Sequence, residues 1–373
     1  MTKQAIVVGG GAIGMMQARE LALSGWQVQL VERGLCGREA SWAGGGIISP
    51  LYPWRYAEPV TALARWSQGY YGNLVESLEA ESGIDAELTR HGLLMLDVDD
   101  QAVALNWSGA PNWLERIDTD ALYRLEPQLA AGYEGGLWMA QVASIRNPRL
   151  LRALRTSLER LPQVRILEGC RVDALITQGE RVTGVQTSDG DFHADAVIVT
   201  AGAWSAGLLD PLDIRLPVVP VKGQMMIYRA EPGTVRRVVM QAGRYVIPRR
   251  DGRVLAGSTL EFSGFDKTTT SEARETLAQT AESLYPILAK CPVEQQWAGL
   301  RPGAPEGIPF IGAVASAPGL YLNTGQFRNG LVLAPASVRL LTSLLNDETC
   351  PVDPQPYEPE RRLNQATAEA GWW

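Results

Sequence analysis

The sequence predicts an α+β protein of two interleaved domains, one built on a parallel sheet and one on a mostly antiparallel sheet. Short apolar segments at 5–8, 196–199 and 319–323 are typical of buried parallel strands. Extended runs within 92–141 and 216–260, separated by turn residues, are typical of antiparallel strands. Because the two kinds of segment alternate along the chain, we expect discontinuous domains: 1–82, 142–212 and 300–373 in the first, 83–141 and 213–299 in the second.

Composition excludes several classes of protein. The chain has 373 residues and a formal net charge of −7, which favours neither nucleic acid nor an anionic membrane surface as a partner. The apolar runs are shorter than the roughly 18 residues of a membrane span. Four cysteines without a C-x-x-C pair, and two histidines, argue against a metal site or a histidine-based triad. The first strand begins by residue 5, so we expect no signal peptide and a reducing, cytoplasmic location.

The parallel domain begins with a glycine-rich turn. Gly9, Gly11 and Gly14 follow an apolar strand with G-x-G-x-x-G spacing, and a helix is predicted from Ala12 to Ser24. A second apolar strand ends at Glu32, whose carboxylate suits the hydroxyls of an adenosine ribose. Glycines let backbone and helix N-terminus approach a pyrophosphate. Strand, turn, helix, strand and acid in this order predict a Rossmann-like dinucleotide site.

A second glycine-rich stretch distinguishes between possible dinucleotides. Residues 38–50 contain Gly44, Gly45 and Gly46 among small and apolar residues. The stretch could be a surface loop, but a flat ring lying on the main chain also needs such residues. A nicotinamide enzyme has no use for a second loop here, whereas FAD is long and carries its ring far from its adenine. We therefore favour a flavin over a nicotinamide.

The middle of the chain gives further helices and strands. An amphipathic helix is expected over 60–81, and another begins near Asn147, a predicted N-cap followed by proline. Residues 164–195 read as an antiparallel meander inserted in the nucleotide domain. Residues 271–290 read as one helix. The nucleotide domain is expected to return at Trp297, and the proline-rich segment after Pro351 is expected on the surface.

Two side chains have the chemistry of carboxylate recognition. Arg301 offers a planar, permanently charged fork, although a structural ion pair would explain it equally well. Tyr245 lies in a predicted strand and can donate a hydrogen bond, although such tyrosines usually belong to the core. A helical pattern from Gly330, bent or interrupted by Pro335, would point its N-terminus at a flavin and stabilise negative charge on the reduced ring.

These motifs together resemble the FAD-dependent D-amino-acid oxidase family, in particular its branch that oxidises glycine and sarcosine. The resemblance extends from end to end of the chain. It rests on Gly9–Gly14, Ala43–Ile47, Thr200–Ser205, Tyr245–Arg249, Trp297–Pro302 and Gly325–Gly330, of which the last three are the most specific.

The resemblance implies a role for each matching residue. It implies that Arg301 binds the substrate carboxylate with help from Tyr245, and that Arg328 lies near the same carboxylate. Beside Gly9, Gly11 and Gly14, it implies FAD contacts from Ala12, Ile13, Glu32, Arg33, Ala40, Ser41, Gly45, Gly46, Ile47, Val172, Gln326, Phe327, Arg328, Asn329, Gly330, Leu331 and Val332.

The resemblance also implies a reaction. Glycine, sarcosine or a small D-amino acid would lose a hydride from Cα to flavin N5, and dioxygen would become hydrogen peroxide. The products would be a 2-oxo acid and ammonia, and the imino acid could supply thiazole synthesis for thiamine. Relatives are often homo-oligomers such as tetramers. The sarcosine branch attaches its flavin to a cysteine, but Gly299–Pro302 contains none, so we expect non-covalent FAD.

Three alternatives stay open at this point. A D-amino-acid dehydrogenase would pass its electrons to quinone at a membrane surface, for which the sequence shows no basic amphipathic helix. A non-catalytic FAD-binding module would hold a flavin that amino acids do not bleach. An NAD-dependent dehydrogenase would carry no bound yellow cofactor.

Overall fold

Two large β-sheets form the frame of the protein. The computed structural model describes residues 2–107 and 113–363. The strands in this part of the chain are β1 (Gln4–Val8), β2 (Gln27–Glu32), β3 (Leu93–Leu96), β4 (Glu115–Asp118), β5 (Gly135–Met139), β6 (Val164–Glu168), β7 (Val172–Gln178), β8 (Arg181–Thr187), β9 (Gly190–His193), β10 (Ala196–Val199), β11 (Val219–Arg229), β12 (Val238–Gln241), β13 (Arg244–Pro248), β14 (Arg253–Gly257), β15 (Val293–Gly303), β16 (Phe310–Ala313) and β17 (Leu320–Thr324). The α-helices are α1 (Ala12–Leu23), α2 (Ala40–Ala43), α3 (Glu58–Ser82), α4 (Gln101–Asn106), α5 (Thr119–Leu125), α6 (Asn147–Glu159), α7 (Ser205–Leu209), α8 (Ser271–Leu284), α9 (Gly330–Asn346) and α10 (Pro359–Arg362).

The first sheet has six strands in the order β16-β17-β10-β1-β2-β6. All neighbouring pairs are parallel except β16 with β17. Its strands are apolar on both sides because both faces are covered. Helices α1, α3, α6 and α9 pack on one face, and the small antiparallel sheet β7-β8-β9 packs on the other.

The second sheet has eight strands in the order β15-β11-β14-β13-β12-β3-β5-β4. Its pairs are antiparallel apart from β12 with β3. Helices α5 and α8 cover one face through residues such as Leu122, Leu277 and Leu284. The opposite face carries Met225, Tyr245 and Ile247. The mixed fold class expected from the sequence is therefore confirmed.

Several boundaries differ from the sequence-based expectation. Strand β6 was expected in the inserted meander, but it pairs in parallel with β2 at the edge of the first sheet. The helix expected over 271–290 ends at Leu284, because Pro286 cannot continue it, and a 3₁₀ turn follows. Trp297 lies inside β15, which spans the proposed 299/300 domain boundary. The domain bounds themselves stay a prediction.

The C-terminal segment is packed more deeply than expected. Tyr357 and Arg362 are buried, although the segment after Pro351 was expected on the surface. Arg362 donates to the carbonyls of Ile308 and Pro309, each at 2.8 Å. The last ten positions, 364–373, lie outside the described residues.

The longest helix, α3, has 25 residues and confirms the amphipathic helix expected over 60–81. Its buried residues include Val60, Leu63, Leu74 and Leu78, while Glu76 is exposed. Across residues 2–107 and 113–363, the helices lack the combination of length and hydropathy that crossing a bilayer requires.

A buried carboxyl group lies under the eight-stranded sheet, at the end of α5. Glu126 has no exposed surface, and its Oε1 accepts the backbone N–H groups of Arg236, at 2.9 Å, and Arg237. Within the described residues, its Oε2 meets no donor at hydrogen-bond geometry, and the buried Tyr285 hydroxyl is a neighbouring donor. Burial raises the pKa of Glu126 to about 7, although the Tyr285 hydroxyl and the two backbone N–H groups lower it.

We expect Glu126→Gln to stabilise the protein at pH 7–8 but not at pH 5. The folded-state pKa lies above the unfolded one, so stability falls as pH rises between the two, by about 1.4 kcal/mol per pH unit. Glutamine does not ionise and avoids this loss. Thermal melts of wild type and variant across this range measure the difference, with Glu115→Gln on the exposed edge as the control. A constant difference in Tm at all pH values would contradict the assignment.

Candidate functional site

A cavity of about 510 Å³ extends from the carboxyl edge of the six-stranded sheet to the face of the eight-stranded sheet. Its volume is in the range of small-molecule and cofactor sites. At one end it is lined by Gly9, Glu32 and Val172, and at the other by Tyr245 and Arg301. We call these the nucleotide end and the substrate end.

The glycine turn is held by contacts that only small residues permit. Gly9 has a φ of +110°, and a Cβ on Gly14 would lie 1.8 Å from the carbonyl oxygen of Gly9. Gly14 therefore packs α1 against β1 and does not line the cavity, unlike Gly9 and Gly11. The Glu32 carboxylate accepts the backbone N–H of Gly10, at 2.7 Å, and of Gly34, at 2.8 Å. These two hydrogen bonds fix the position of the Glu32 carboxylate at the end of β2.

Two polar side chains hold the second glycine-rich stretch, residues 38–50, through hydrogen bonds to its backbone carbonyls. The amide of Asn147 donates to the carbonyls of Ser41, at 2.8 Å, and Gly44, at 2.9 Å. Buried Arg249 donates to the carbonyl of Gly45, at 2.8 Å. Asn147 was expected to cap α6, but it is the first residue of that helix, and its side chain holds the loop instead.

This loop also depends on the absence of a side chain. Gly46 has a φ of +80°, and a Cβ there would lie 2.1 Å from the Ile145 carbonyl oxygen. A Cβ on Gly45 would lie 2.8 Å from Ile247 and 3.1 Å from the ring of Tyr245. The backbone of Gly44–Ile47 therefore lies directly on the strands beneath it and forms a cavity wall without side-chain bulk.

The N-terminus of α9 faces the cavity. Residues Gln326–Val332 all line it, and the Asn329 amide nitrogen is buried there without a hydrogen-bond partner among the described residues. Such a donor is costly unless a ligand atom accepts from it. The helix N-terminus adds partial positive charge at the same place. This end of α9 is therefore suited to an acceptor-rich, electron-accepting ring.

Helix α9 is not interrupted at Pro335, which lies within it. Proline lacks the N–H that would bond to Leu331, and the Tyr71 hydroxyl donates to the Leu331 carbonyl instead. One turn earlier on α3, the Ser67 hydroxyl accepts the N–H of Ala336 at 3.0 Å. Two side chains of α3 thus replace the helical bonding that the proline disturbs.

Arg301 lies at the substrate end without an acidic partner. Its Nη1 donates to the carbonyls of Lys222, at 3.3 Å, and Thr259, at 3.2 Å, and its Nη2 donates to Ser258 Oγ at 2.8 Å. In the described part of the chain, no carboxylate lies within 4.0 Å of it. Burial lowers the pKa of Arg301. A cation that is half-buried in the cavity wall and has no acidic partner is suited to an anionic ligand. The structural ion pair that the sequence left open is not found in the described part of the chain.

The position of Arg301 depends on Gly223, on the neighbouring strand β11. A Cβ added to Gly223 would lie 2.2–2.4 Å from Nη2, Nη1 and Cζ of the guanidinium. The guanidinium therefore lies flat against the β11 backbone. Sequence reasoning missed Gly223 and Ser258. A glycine inside a long strand is a signal for such a close approach, and it could have identified Gly223.

Tyr245 and Arg328 complete the substrate end. Tyr245 is 8% exposed, its hydroxyl is 4.0 Å from Met225 Sδ, and its ring packs against Gly45 and Gly257. After burial, the largest influences on the pKa of Arg301 are Tyr245, which raises it, and Arg328, which lowers it. The two arginines and the tyrosine therefore act on one another within this end of the cavity.

The predicted site residues converge on this cavity, with Gly14 as the exception. The three predicted substrate residues lie at the substrate end. Their contacts with a cofactor or substrate stay predictions. The predicted cofactor residues that line the cavity are Gly9, Gly11, Ala12, Ile13, Glu32, Arg33, Ala40, Ser41, Gly45, Gly46, Ile47, Val172 and the run Gln326–Val332.

Comparisons with known proteins agree with this geometry. The family model described as FAD dependent oxidoreductase matches residues 4–344. A glycine oxidase of Pseudomonas aeruginosa is 52% identical over 364 residues, which cover 97% of this chain and 100% of that protein. The bifunctional protein ThiO/ThiG of Synechocystis is 33% identical over 97% of this chain and 54% of its own length. The crystal structure of glycine oxidase from Geobacillus kaustophilus has a TM-score of 0.88 and 27% identity, covering 96% of this chain and 98% of that one.

Proposed function

The chain belongs to the family of FAD-dependent oxidoreductases, and we propose that it is a glycine oxidase. It would oxidise glycine and small D-amino acids to a 2-oxo acid, ammonia and hydrogen peroxide, and sarcosine to a 2-oxo acid, methylamine and hydrogen peroxide. The observation that carries the proposal is the unpaired guanidinium of Arg301 at the substrate end. A half-buried, cavity-lining arginine without an acidic neighbour is suited to a small carboxylate. The similarity to glycine oxidases over nearly the whole chain supports the amino-acid class.

The protein would bind and orient the substrate through three groups. Arg301 would pair with the carboxylate, using the two N–H bonds that its protein partners leave free. The Tyr245 hydroxyl would donate to the same carboxylate, and Arg328 would lie near it. Fixing the carboxylate limits where Cα can lie and so aligns its hydrogen for transfer.

The residues present suit FAD. The glycine turn and the N-terminus of α1 would take the pyrophosphate, Glu32 the ribose, and the backbone near Val172 the adenine. The backbone of Gly44–Ile47 and the N-terminus of α9 would hold the ring. The side-chain amide of Asn329, which lacks a partner among the described residues, would donate a hydrogen bond to it. When bound, FAD supplies the chemistry by accepting a hydride from the amine and passing the electrons to dioxygen.

Acid–base side chains are scarce where the amine would lie. The acidic residues that line the cavity, Glu32, Glu39 and Asp173, are at the nucleotide end, and no histidine lines it among the described residues. The substrate amine would therefore enter as its neutral base. The chain's contribution would be positioning, exclusion of water and a positive environment.

We expect the FAD to be non-covalent. Cys170 is the cysteine that lines the cavity within the described residues, and it lies at the nucleotide end beside Val172. Burial raises the pKa of Cys36 well above its usual range, so that thiol is a poor nucleophile. Acid precipitation should leave the yellow colour in the supernatant. A yellow pellet that resists washing would refute the expectation.

Location, assembly and pathway follow as further parts of the proposal. The four cysteines are free, which supports a reducing compartment such as the cytoplasm. The ThiO/ThiG relative supports a link to thiamine biosynthesis, in which the imino acid would supply thiazole synthesis. Assembly into a homo-oligomer such as a tetramer stays a prediction from the resemblance.

Anaerobic titration of the purified yellow protein with small amino acids tests the proposal. Glycine should bleach the flavin absorbance near 450 nm, roughly where oxidised flavins absorb, and air should restore it with formation of hydrogen peroxide. Glycine, sarcosine and D-alanine differ by so little in size that we expect about 1–3 kcal/mol of discrimination. Bleaching that only an added dye or quinone reverses would indicate a dehydrogenase. No bleaching by any amine would indicate a non-catalytic module.

A further inference from the structure

Four uncharged polar side chains form a hydrogen-bonded chain that connects helices α1 and α9 with the end of β17. They are buried, each at most 2% exposed: Thr342, Gln17, Asn323 and Gln326. Gln17 of α1 donates from Nε2 to Oγ1 of Thr342 in α9 at 2.8 Å. Asn323 of β17 donates from Nδ2 to Gln17 Oε1 at 3.1 Å, and Gln326 donates from Nε2 to Asn323 Oδ1 at 2.7 Å. We call these four residues the amide chain.

One end of the amide chain lies at the cavity and the other lies away from it. Gln326 lines the cavity, whereas Gln17, Asn323 and Thr342 do not. Gln17 and Asn323 each accept from one neighbour and donate to the other, so the orientation of one amide fixes the orientation of the next. Since a buried amide that loses its partner is costly, breaking one link disturbs the others. The amide chain therefore ties the position of Gln326 to the positions of α1 and α9.

The turn that follows Gln326 has a backbone conformation that is unfavourable by itself. Phe327 has a φ of +47°, in the left-handed region that a bulky residue rarely adopts. Such a conformation persists only where the surrounding contacts hold it, and it is typical of functional sites. The Gln326 carbonyl accepts the N–H of Asn329 at 3.0 Å, which closes the 3₁₀ turn Phe327–Asn329. The amide chain therefore supplies one of the contacts that hold this turn in its strained form.

The strained turn brings hydrogen-bond donors to the cavity. The side-chain amide nitrogen of Asn329 is buried without a hydrogen-bond partner among the described residues, and α9 begins directly after it at Gly330. Both the amide donor and the helix N-terminus favour negative charge on a ring beside them. A flavin gains negative charge when it is reduced, so these groups stabilise the reduced ring more than the oxidised one. Relaxation of the turn would weaken that preference.

We propose that Gln17, Asn323 and Thr342 are positioning residues for the flavin. Acting through Gln326, they hold the turn Phe327–Asn329 in the conformation that stabilises reduced FAD, and so they raise the reduction potential of the bound cofactor. They do this without lining the cavity themselves. The inference concerns the cofactor and not the amine, so it does not depend on which substrate the enzyme oxidises.

Gln17→Met tests the proposal because methionine keeps the length of the side chain but breaks both of its hydrogen bonds. We expect the preference of the protein for reduced over oxidised FAD to fall by about tenfold, which is a midpoint potential ~30 mV lower for a two-electron couple. Spectroelectrochemical titration of the FAD-bound protein measures this potential without any amine substrate. An unchanged potential in Gln17→Met would overturn the proposal. If that variant does not fold, Thr342→Val gives the same comparison against Thr342→Ser, which keeps the hydroxyl and should keep the wild-type potential.

Ser157→Ala is the matched control for the loss of a buried hydrogen bond at α1. The Ser157 hydroxyl is 1% exposed and accepts from Nε of Arg19, two positions after Gln17 in α1, at 3.2 Å. It has no link to β17 or to the cavity. We expect Ser157→Ala to lower Tm but to leave the flavin potential at its wild-type value. An equal shift of potential in this control would show that any damage to α1 has the same effect, and it would overturn the proposal.

The double variant Gln17→Met/Thr342→Val separates positioning from stability. Removing the Thr342 hydroxyl that Gln17→Met leaves without a partner should restore part of the lost Tm, because an apolar pair replaces a broken polar one. The potential should stay low, since Asn323 still lacks the acceptor that fixes it. A potential that recovers together with Tm would reduce the amide chain to a stabilising role and overturn the proposal. Bleaching by glycine tests the proposed function separately, so the two inferences can fail independently.

Discussion

Replacing Arg301 by methionine is expected to lower kcat/KM for glycine by about 10²–10⁴-fold, since a buried charged hydrogen-bonded pair is worth roughly 3–5 kcal/mol when one partner is removed. Methionine keeps the apolar length of the side chain but offers no donor to the substrate carboxylate. The partners of Arg301 are two backbone carbonyls and one hydroxyl, so no protein carboxylate is left unpaired in the variant. Oxygen uptake at several glycine concentrations measures the loss.

Two controls make this prediction specific. Arg361→Met removes an exposed arginine from α10 and should leave the kinetics unchanged. Arg301→Lys keeps the positive charge but loses the planar pair of N–H donors. Its kcat/KM should therefore lie between those of the methionine variant and the wild type. The ratio of flavin to protein absorbance shows whether FAD is retained. If an Arg301→Met variant keeps its full content of FAD and its kcat/KM stays within threefold of wild type, Arg301 does not bind the substrate.

The second large loss of kcat/KM is expected from substitution of Gly223, although glycine has no side-chain functional group. Gly223→Ala would place a methyl group 2.2–2.4 Å from three atoms of the Arg301 guanidinium, so the guanidinium must move. Displacement of a binding group by about 1 Å can cost on the order of 10²-fold in rate. We therefore expect kcat/KM for glycine to fall by about 10²-fold, while the distant nucleotide end keeps its FAD.

A double-mutant cycle distinguishes positioning from general damage. In the Arg301→Met background, Gly223→Ala should cost little more, because the group that it displaces is already gone. Gly72→Ala is the matched control, since an added Cβ there meets no heavy atom within 4 Å. Equal losses from Gly223→Ala with and without Arg301 would show that the glycine acts through the fold and not through the guanidinium.

Features with a strong local pattern could be predicted from the sequence. The glycine turn, the strand ending at Glu32 and the helix α1 follow from spacing and apolar runs, because local sterics and burial determine them. The second glycine stretch was predicted as a ring-binding loop, and the structure places it on the cavity wall. The resemblance identified Arg301, Tyr245 and Arg328 as neighbours, which no periodicity could have done.

Contacts between distant segments could not be predicted in this way. Gly223 and Arg301 are 78 positions apart in the chain, and only the pairing of β11 with β15 brings them together. The local sequence predicts a helix cap at Asn147, because asparagine is common at caps, whereas its partners Ser41 and Gly44 are more than 100 positions away. The local sequence likewise groups β6 with the meander, because a short edge strand carries no local pattern that identifies its partner strand.

The strands of the two sheets alternate along the chain, so the protein cannot be divided into two independent halves by one cut. The chain crosses between the sheets several times, so no single cut separates a cofactor-binding half from a substrate-binding half. Either half expressed alone would lack strands that its sheet requires. We therefore expect a nucleotide that occupies only its own end of the cavity to slow protease attack on loops at the far end, because the strands of each sheet are held in place by segments that continue into the other sheet.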